Sequence, residues 1–267
     1  MNSDHEINLI TFLKNMVKPC VSEIEYLEVL TTILRVCEEI NYFNCQSADN
    51  KSVFLPPILF KKTLGKKELS FTLDKNSAII LRLGKRTIKV FIFDFFSTAE
   101  HIFCYLNARY GHGLIDFKWF SPIFLEHILG VDLPFLENAC LEEYPLRELR
   151  AFSSDVLNGV EVNDERYYRC LCGDYALDDT NLHSNHLTES NDYRLRRVLD
   201  GIRTNGYPYN NQFIVVYNDE MIIRDGEHRW ACLYYLNGNI NIPVLRLRFS
   251  FNYYSFSRFH KNCYKKV

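Results

Sequence analysis

The run Asp225-Gly226-Glu227-His228-Arg229 brings together residue types that can act jointly on an anion. The residues before it suit a strand, glycine permits a tight turn, and the residues after it suit a helix. Asp225 is placed to cap that helix. The first backbone N–H groups of a helix lack intrahelical partners and carry partial positive charge. A phosphate docked over Gly226, Glu227 and His228 meets those donors, and His228 and Arg229 add side-chain donors and charge. Asp225 or Glu227 can instead hold Mg2+ or take a proton from an attacking hydroxyl. The competing account is an exposed first helical turn after an ordinary Asp-Gly bend.

The surrounding elements decide between the two. Ser190 is a cap for a helix whose apolar stripe is Leu195, Val198, Leu199 and Ile202 and whose end is Asn205-Gly206. Residues 213–217 and 220–224 are two strands joined by Asn218-Asp219. A helix from the Asp-Gly turn to Leu236 closes at Asn237-Gly238, and a final strand covers 242–249. Arg194, Arg196, Arg197 and Arg203 decorate the first of these helices, mostly as a solvated basic face. Arg196 and Arg197 are the pair that can help neutralise a chain of phosphates.

The whole segment, from Phe213-Ile-Val-Val-Tyr through Arg224-Asp-Gly-Glu-His-Arg-Trp to Asn241-Ile-Pro-Val-Leu, resembles the ParB/sulfiredoxin superfamily over about 190–249. The resemblance implies a small mixed sheet with packed helices and a nucleotide held at the 226–229 turn. Sulfiredoxin-like members carry a reactive Cys directly before His-Arg, where this chain has Glu227. ParB-like members carry Gly-Glu-Arg-Arg and add a helix-turn-helix domain, for which little sequence follows residue 250. Free-serine kinases carry Asp-Gly-His-His-Arg, matched here at every position but Glu227. Kinase-like members also take a base from the segment before the first helix, where Glu189 is the nearest acidic residue. The Asp-Gly-x-His-Arg form with an extra N-terminal domain is also similar to members associated with surface-polysaccharide biosynthesis.

These readings combine into one expectation. A kinase uses ATP or ADP with Mg2+ to phosphorylate a hydroxyl of a small molecule or carbohydrate. Asp225, His228 and Glu189 are its catalytic candidates. Gly226, Glu227, His228, Arg229, Arg196 and Arg197 are its phosphate ligands, and Asp225 is its metal ligand. The alternatives are a nucleotide-binding ParB-like switch and a nucleic-acid-binding or nuclease protein.

Other constellations carry less. Cys170-x-Cys172 with His183 and His186 offers zinc-ligand types, but its first gap is tighter than the usual two to four residues, and a polar loop accounts for it. The tail after Phe249 interleaves Tyr253, Tyr254 and Phe259 with Arg258, His260, Lys261, Lys265 and Lys266, which suits a packed aromatic extension better than a nucleic-acid groove. No phosphate-loop or dinucleotide fingerprint occurs.

The N-terminal part is expected to contain two helices over 6–43, strands at 68–73, 78–83 and 86–93, a helix capped by Ser97 and running to Arg109, and another over 121–130 starting at Pro122. A short helix is expected near 164–171. The fold class is α+β, with a helical and hairpin domain over 1–150 and the phosphotransferase domain over 151–267. Net charge of −2 gives no global attraction to nucleic acid, and 47% hydrophobic residues suit a buried core. Nine irregularly spaced cysteines, with no secretory signal and no apolar run of about 18 residues, point to reduced thiols in the cytoplasm.

Overall fold

The computed structural model describes residues 9–47, 58–64, 67–73, 78–130, 133–153, 155–156, 158–177 and 190–250. The protein is mixed α+β with two four-stranded sheets. It divides into two compact units, Met1–Tyr110 and Gly111–Val267.

In the first unit, α1 (Leu9–Phe12) runs through a π turn and a 3-10 turn holding Pro19 into α2 (Glu23–Ser47). Ser22 and Glu25 start α2 with a reciprocal capping box: the Glu25 amide donates to Ser22 Oγ, and the Ser22 amide donates to Glu25 Oε2 at 2.8 Å. Val29, Ile33, Val36 and Ile40 give α2 one fully buried stripe. Strands β1 (Ile58–Leu64), β2 (Lys67–Leu73), β3 (Ala78–Leu83) and β4 (Arg86–Phe91) form an antiparallel meander. Gly84-Lys85 joins β3 to β4 in register, with Leu83 opposite Arg86 and Gly84 at φ 59°. α3 (Ile92–Tyr110) follows at once. Ser97 therefore lies inside α3 instead of capping it, and its carbonyl is bonded to the His101 ring at 2.7 Å. The expected strand to residue 93 is cut short because the apolar run after Phe91 satisfies a helix as readily as a strand.

The second unit opens with a 3-10 turn, Phe117–Trp119, and α4 (Pro122–Gly130), where Ser121 Oγ accepts from the Phe124 amide. Then come β5 (Leu136–Pro145), α5 (Arg166–Cys172), α6 (Asn191–Asn205), β6 (Ile214–Tyr217), β7 (Ile223–Asp225), α7 (Glu227–Asn237) and β8 (Asn241–Phe249). The sheet order is β5-β8-β6-β7. β8 pairs antiparallel with β5 and parallel with β6, and β6 pairs antiparallel with β7. β5 matches β8 from Leu136 opposite Phe249 to Pro145 opposite Asn241. Residues 111–150 thus belong with the C-terminal segment, and the division falls at Tyr110/Gly111 and not at residue 150.

One face of this sheet presents Ile214, Val216, Ile223, Ile242 and Val244 to a core shared with α5, α6 and α7, and Trp230 is fully buried there. Trp230 Nε1 donates to the Leu146 carbonyl at 2.8 Å, so the indole is packed without an orphan donor. The opposite face carries Tyr217 and Phe249, 4.6 Å apart, with Phe124 of α4 against Tyr217. The start of β6 is tied to β8 by a side chain: the Tyr207 hydroxyl donates to the Pro243 carbonyl and accepts from the Ile214 amide, both at 2.9 Å. At the strand end, Arg246 is 1% exposed and bonds Glu142 Oε2 at 2.7 Å, while also donating to the Asn218 and Glu220 carbonyls. The Tyr144 hydroxyl and that guanidinium hold Glu142 down at about 2.

α6 follows expectation closely: Ser190 accepts from the Tyr193 amide, Leu195, Leu199 and Ile202 are buried, and Gly206 ends the helix. Among the described residues no helix is long and apolar enough to cross a membrane. Among the described residues Cys20, Cys37, Cys104, Cys140, Cys170, Cys172 and Cys232 are unpaired with one another.

Candidate functional site

The 225–229 turn forms where β7 ends. Gly226 takes φ 98° and ψ 22°, a left-handed conformation that lets the chain turn straight into α7. A Cβ there would stand 3.1 Å from the Ile214 Cα and 3.1 Å from Arg229 Nη2. The turn is built tightly against β6.

Asp225 does not cap α7. The N-cap position is Gly226, with no side-chain cap hydrogen bond. The Asp225 carboxylate is 7% exposed, and its Oδ2 accepts from Arg229 Nη2 at 2.9 Å and from the Ser121 amide at 3.4 Å. Arg229 is 6% exposed. Its Nη1 donates to Gln212 Oε1 and its Nη2 to the Phe213 carbonyl, each at 3.0 Å. The guanidinium expected to grip phosphate therefore points into the protein, where it ties α7 to the segment entering β6. The carboxylate expected to hold a metal ion is committed to the same knot. Both results have one cause: residues 225 and 229 are four apart across a helix start, which suits an internal ion pair.

The residues left facing out of the turn meet α5. The Tyr167 ring stands edge-on to the His228 ring at 4.1 Å. Arg166 lies over the Tyr167 ring at 4.6 Å and donates through Nη2 to the Tyr167 hydroxyl at 2.7 Å. Burial opposes the Arg166 charge, but Tyr167 and Glu227 outweigh it and hold its pKa above the usual value. Glu227 Oε1 accepts from the Phe152 amide at 3.0 Å, which fastens the 150–153 segment to the helix start.

Behind these groups sits Glu165, 4% exposed. It caps α5 through Oε2 alone, accepting from the Tyr167 amide at 2.7 Å and the Tyr168 amide at 3.1 Å. Burial raises its pKa most, Glu227 raises it further, and the two amide bonds and Arg166 pull it back; the result is about 7. A buried carboxyl raised toward neutrality, next to Arg166 and to the Tyr167 that meets His228, is suited to exchange a proton near neutral pH.

Placement of the remaining candidates is as follows. Arg196 bonds Asp192 at 3.3 Å on the outer side of α6, and Arg197 is partly buried on the same helix. Neither is brought to the α7 start by any contact described. Glu189, His183, His186 and the tail after Ser250 lie outside the described residues. Cys170 is buried against Asp192 and Cys172 is exposed. Among the described residues no group of three or more His, Cys, Asp or Glu is arranged to hold a metal ion. The sequence pointed to His228 and Glu227 but missed Glu165, Arg166 and Tyr167. The available signal was an acidic residue directly before a short helical run, which marks a cap and says nothing about what lies across from it.

Comparison with protein-family models, with curated proteins and with solved structures gives no match for this chain.

Proposed function

We propose that the protein is a nucleotide-dependent phosphotransferase that moves a phosphoryl group from ATP or ADP to a hydroxyl of a small molecule or carbohydrate, acting in the cytoplasm, with surface-polysaccharide precursors among its acceptors. The observation that carries this reading is Glu165, a buried carboxyl with a pKa of about 7 on the helix whose Tyr167 packs against His228. General bases are most effective when their pKa lies near the working pH.

In this reading the phosphates rest on the α7 start, over Gly226 and the amides that follow it, with His228 as a side-chain donor. Asp225 and Arg229 are the frame that fixes this start and not its ligands. Mg2+ bound to the nucleotide would neutralise phosphate charge, and the bonds Asp225 already makes do not suit it as a metal ligand. The acceptor oxygen attacks the terminal phosphorus, the bond to the leaving phosphate breaks, and the hydroxyl proton passes to the Glu165 carboxylate. Positioning and charge stabilisation supply the rest of the rate.

The test begins with melting temperatures in ATP, ADP, CTP and GTP with Mg2+, for the wild type and His228→Ala. One nucleotide should raise the wild-type value, and the variant should lose most of that rise. An acceptor screen with serine and sugars should then show transfer that Glu165→Gln lowers by about 100-fold or more, with nucleotide binding retained. No shift with any nucleotide removes the phosphotransferase reading. Binding without transfer to any hydroxyl favours a nucleotide switch, and metal-dependent loss of DNA favours a nuclease.

A further inference from the structure

Two arginines flank the α7 start, and they are held in opposite ways. Arg229 is buried, and both its terminal nitrogens donate to protein acceptors. Arg166 keeps part of its surface open to solvent, and among the described residues its guanidinium is anchored through Nη2 to the Tyr167 hydroxyl and steadied by the Tyr167 ring. An arginine fixed at one corner by a hydroxyl and a ring has lost much of its rotamer freedom before any ligand arrives. The ring that anchors it is the one that touches His228, so Arg166 and His228 stand 4.6 Å and 4.1 Å from the same aromatic centre.

We propose that Arg166, and not Arg229, is the side chain that grips phosphate oxygens at this site, and that the ligand is a polyphosphate long enough to span from the α7 start to Arg166. The two donor groups sit on different helices with an aromatic ring between them. A single phosphate covers one of them; a diphosphate or triphosphate covers both. The site also holds Glu227 and Glu165, whose charges oppose an anion. A fixed guanidinium is what offsets them, and Arg194 on α6, whose charge also reaches Tyr167, adds to it. Tyr167 is then a positioning residue: its ring and hydroxyl set where Arg166 points.

The nucleotide part of this inference rests on the phosphotransferase reading; the anion part does not. The experiment is titration calorimetry on the full chain with ATP, ADP and inorganic tripolyphosphate, using wild type, Arg166→Ala, Arg166→Lys and Tyr167→Phe. Loss of the charged fork should weaken tripolyphosphate binding about 10- to 100-fold. Lysine should restore part of it, because it keeps the charge and loses the fork. Tyr167→Phe keeps the ring and removes the anchoring hydroxyl, and should weaken binding several-fold with the melting temperature little changed. Wild-type affinity in Arg166→Ala for every polyphosphate overturns the assignment and leaves the phosphotransferase reading standing if nucleotides still bind. Arg166-dependent binding of tripolyphosphate with no preference for nucleotides supports the assignment and overturns the nucleotide reading. Absence of binding by the wild type to all three overturns both.

Discussion

Asp225 and Arg229 hold each other at 2.9 Å inside the protein, and this sets what a change at either residue costs. Removing one partner of a buried pair leaves an uncompensated charge, at roughly 3 to 5 kcal/mol. Arg229→Ala should therefore lower stability by several kcal/mol in chemical denaturation, and Asp225→Ala by a similar amount. If either variant unfolds like the wild type while losing ligand binding, the internal role of the pair is wrong. Glu165 behaves differently because its pKa is raised, from 4.5 to about 7. The folded state keeps this proton where the unfolded state releases it, so stability falls as pH rises from about 4.5 to about 7. The penalty is on the order of 3 kcal/mol, at about 1.4 kcal/mol per tenfold change in the proton equilibrium. Glu165→Gln keeps the cap acceptor and should flatten that slope, read as melting temperature against pH. An unchanged slope would mean that Glu165 is not the titrating group.

At the scale of elements, the β7–α7 connection depends on one backbone conformation. Gly226→Ala asks an alanine to adopt φ 98° with its Cβ 3.1 Å from the Ile214 backbone. It should cost more than about 1 kcal/mol and weaken anything bound at the α7 start. Ser190→Ala should cost α6 about 1 kcal/mol through loss of its cap. The elements that the sequence made legible are those with punctuation and period together: α6 between Ser190 and Gly206 and α7 between Gly226 and Gly238; the β6–β7 pairing was legible but not its turn, since β7 starts at Ile223 and not at Glu220. β5 was not legible, since Glu137-Asn138 and Glu142-Glu143 break any alternation and its pairing is settled by β8, about a hundred residues on. The site was legible only in part for the same reason. A motif fixes which residues neighbour each other along the chain, but the inward turn of Arg229 depends on Gln212 and Phe213, and the partner of His228 is Tyr167.

For the whole second unit, two carboxyl groups act on stability from opposite sides. Glu142, held at about 2 by Tyr144 and Arg246, adds stability above about pH 4.5 that is lost as pH falls toward 2. Glu165 adds stability at low pH that is lost on the way to neutrality. Their sum peaks near pH 4.5, below the pH at which Glu165 would act as a base. A poised site thus carries a stability cost at its working pH. Glu142→Gln should remove the acid limb and Glu165→Gln the neutral limb of the melting profile, and a double variant should show neither.

The hydroxyl of Tyr207 stands where a strand's own carbonyl would otherwise receive the Ile214 amide. That proton is shielded from solvent by the lifetime of one ring orientation and not by the lifetime of the sheet. Its exchange with deuterium should accordingly report ring motion while its neighbours in β6 report global opening. In Tyr207→Phe this one amide should exchange early and the Val216 amide should keep its native rate, separating a local fluctuation at the mouth of the β6–β8 pair from the unfolding of the unit.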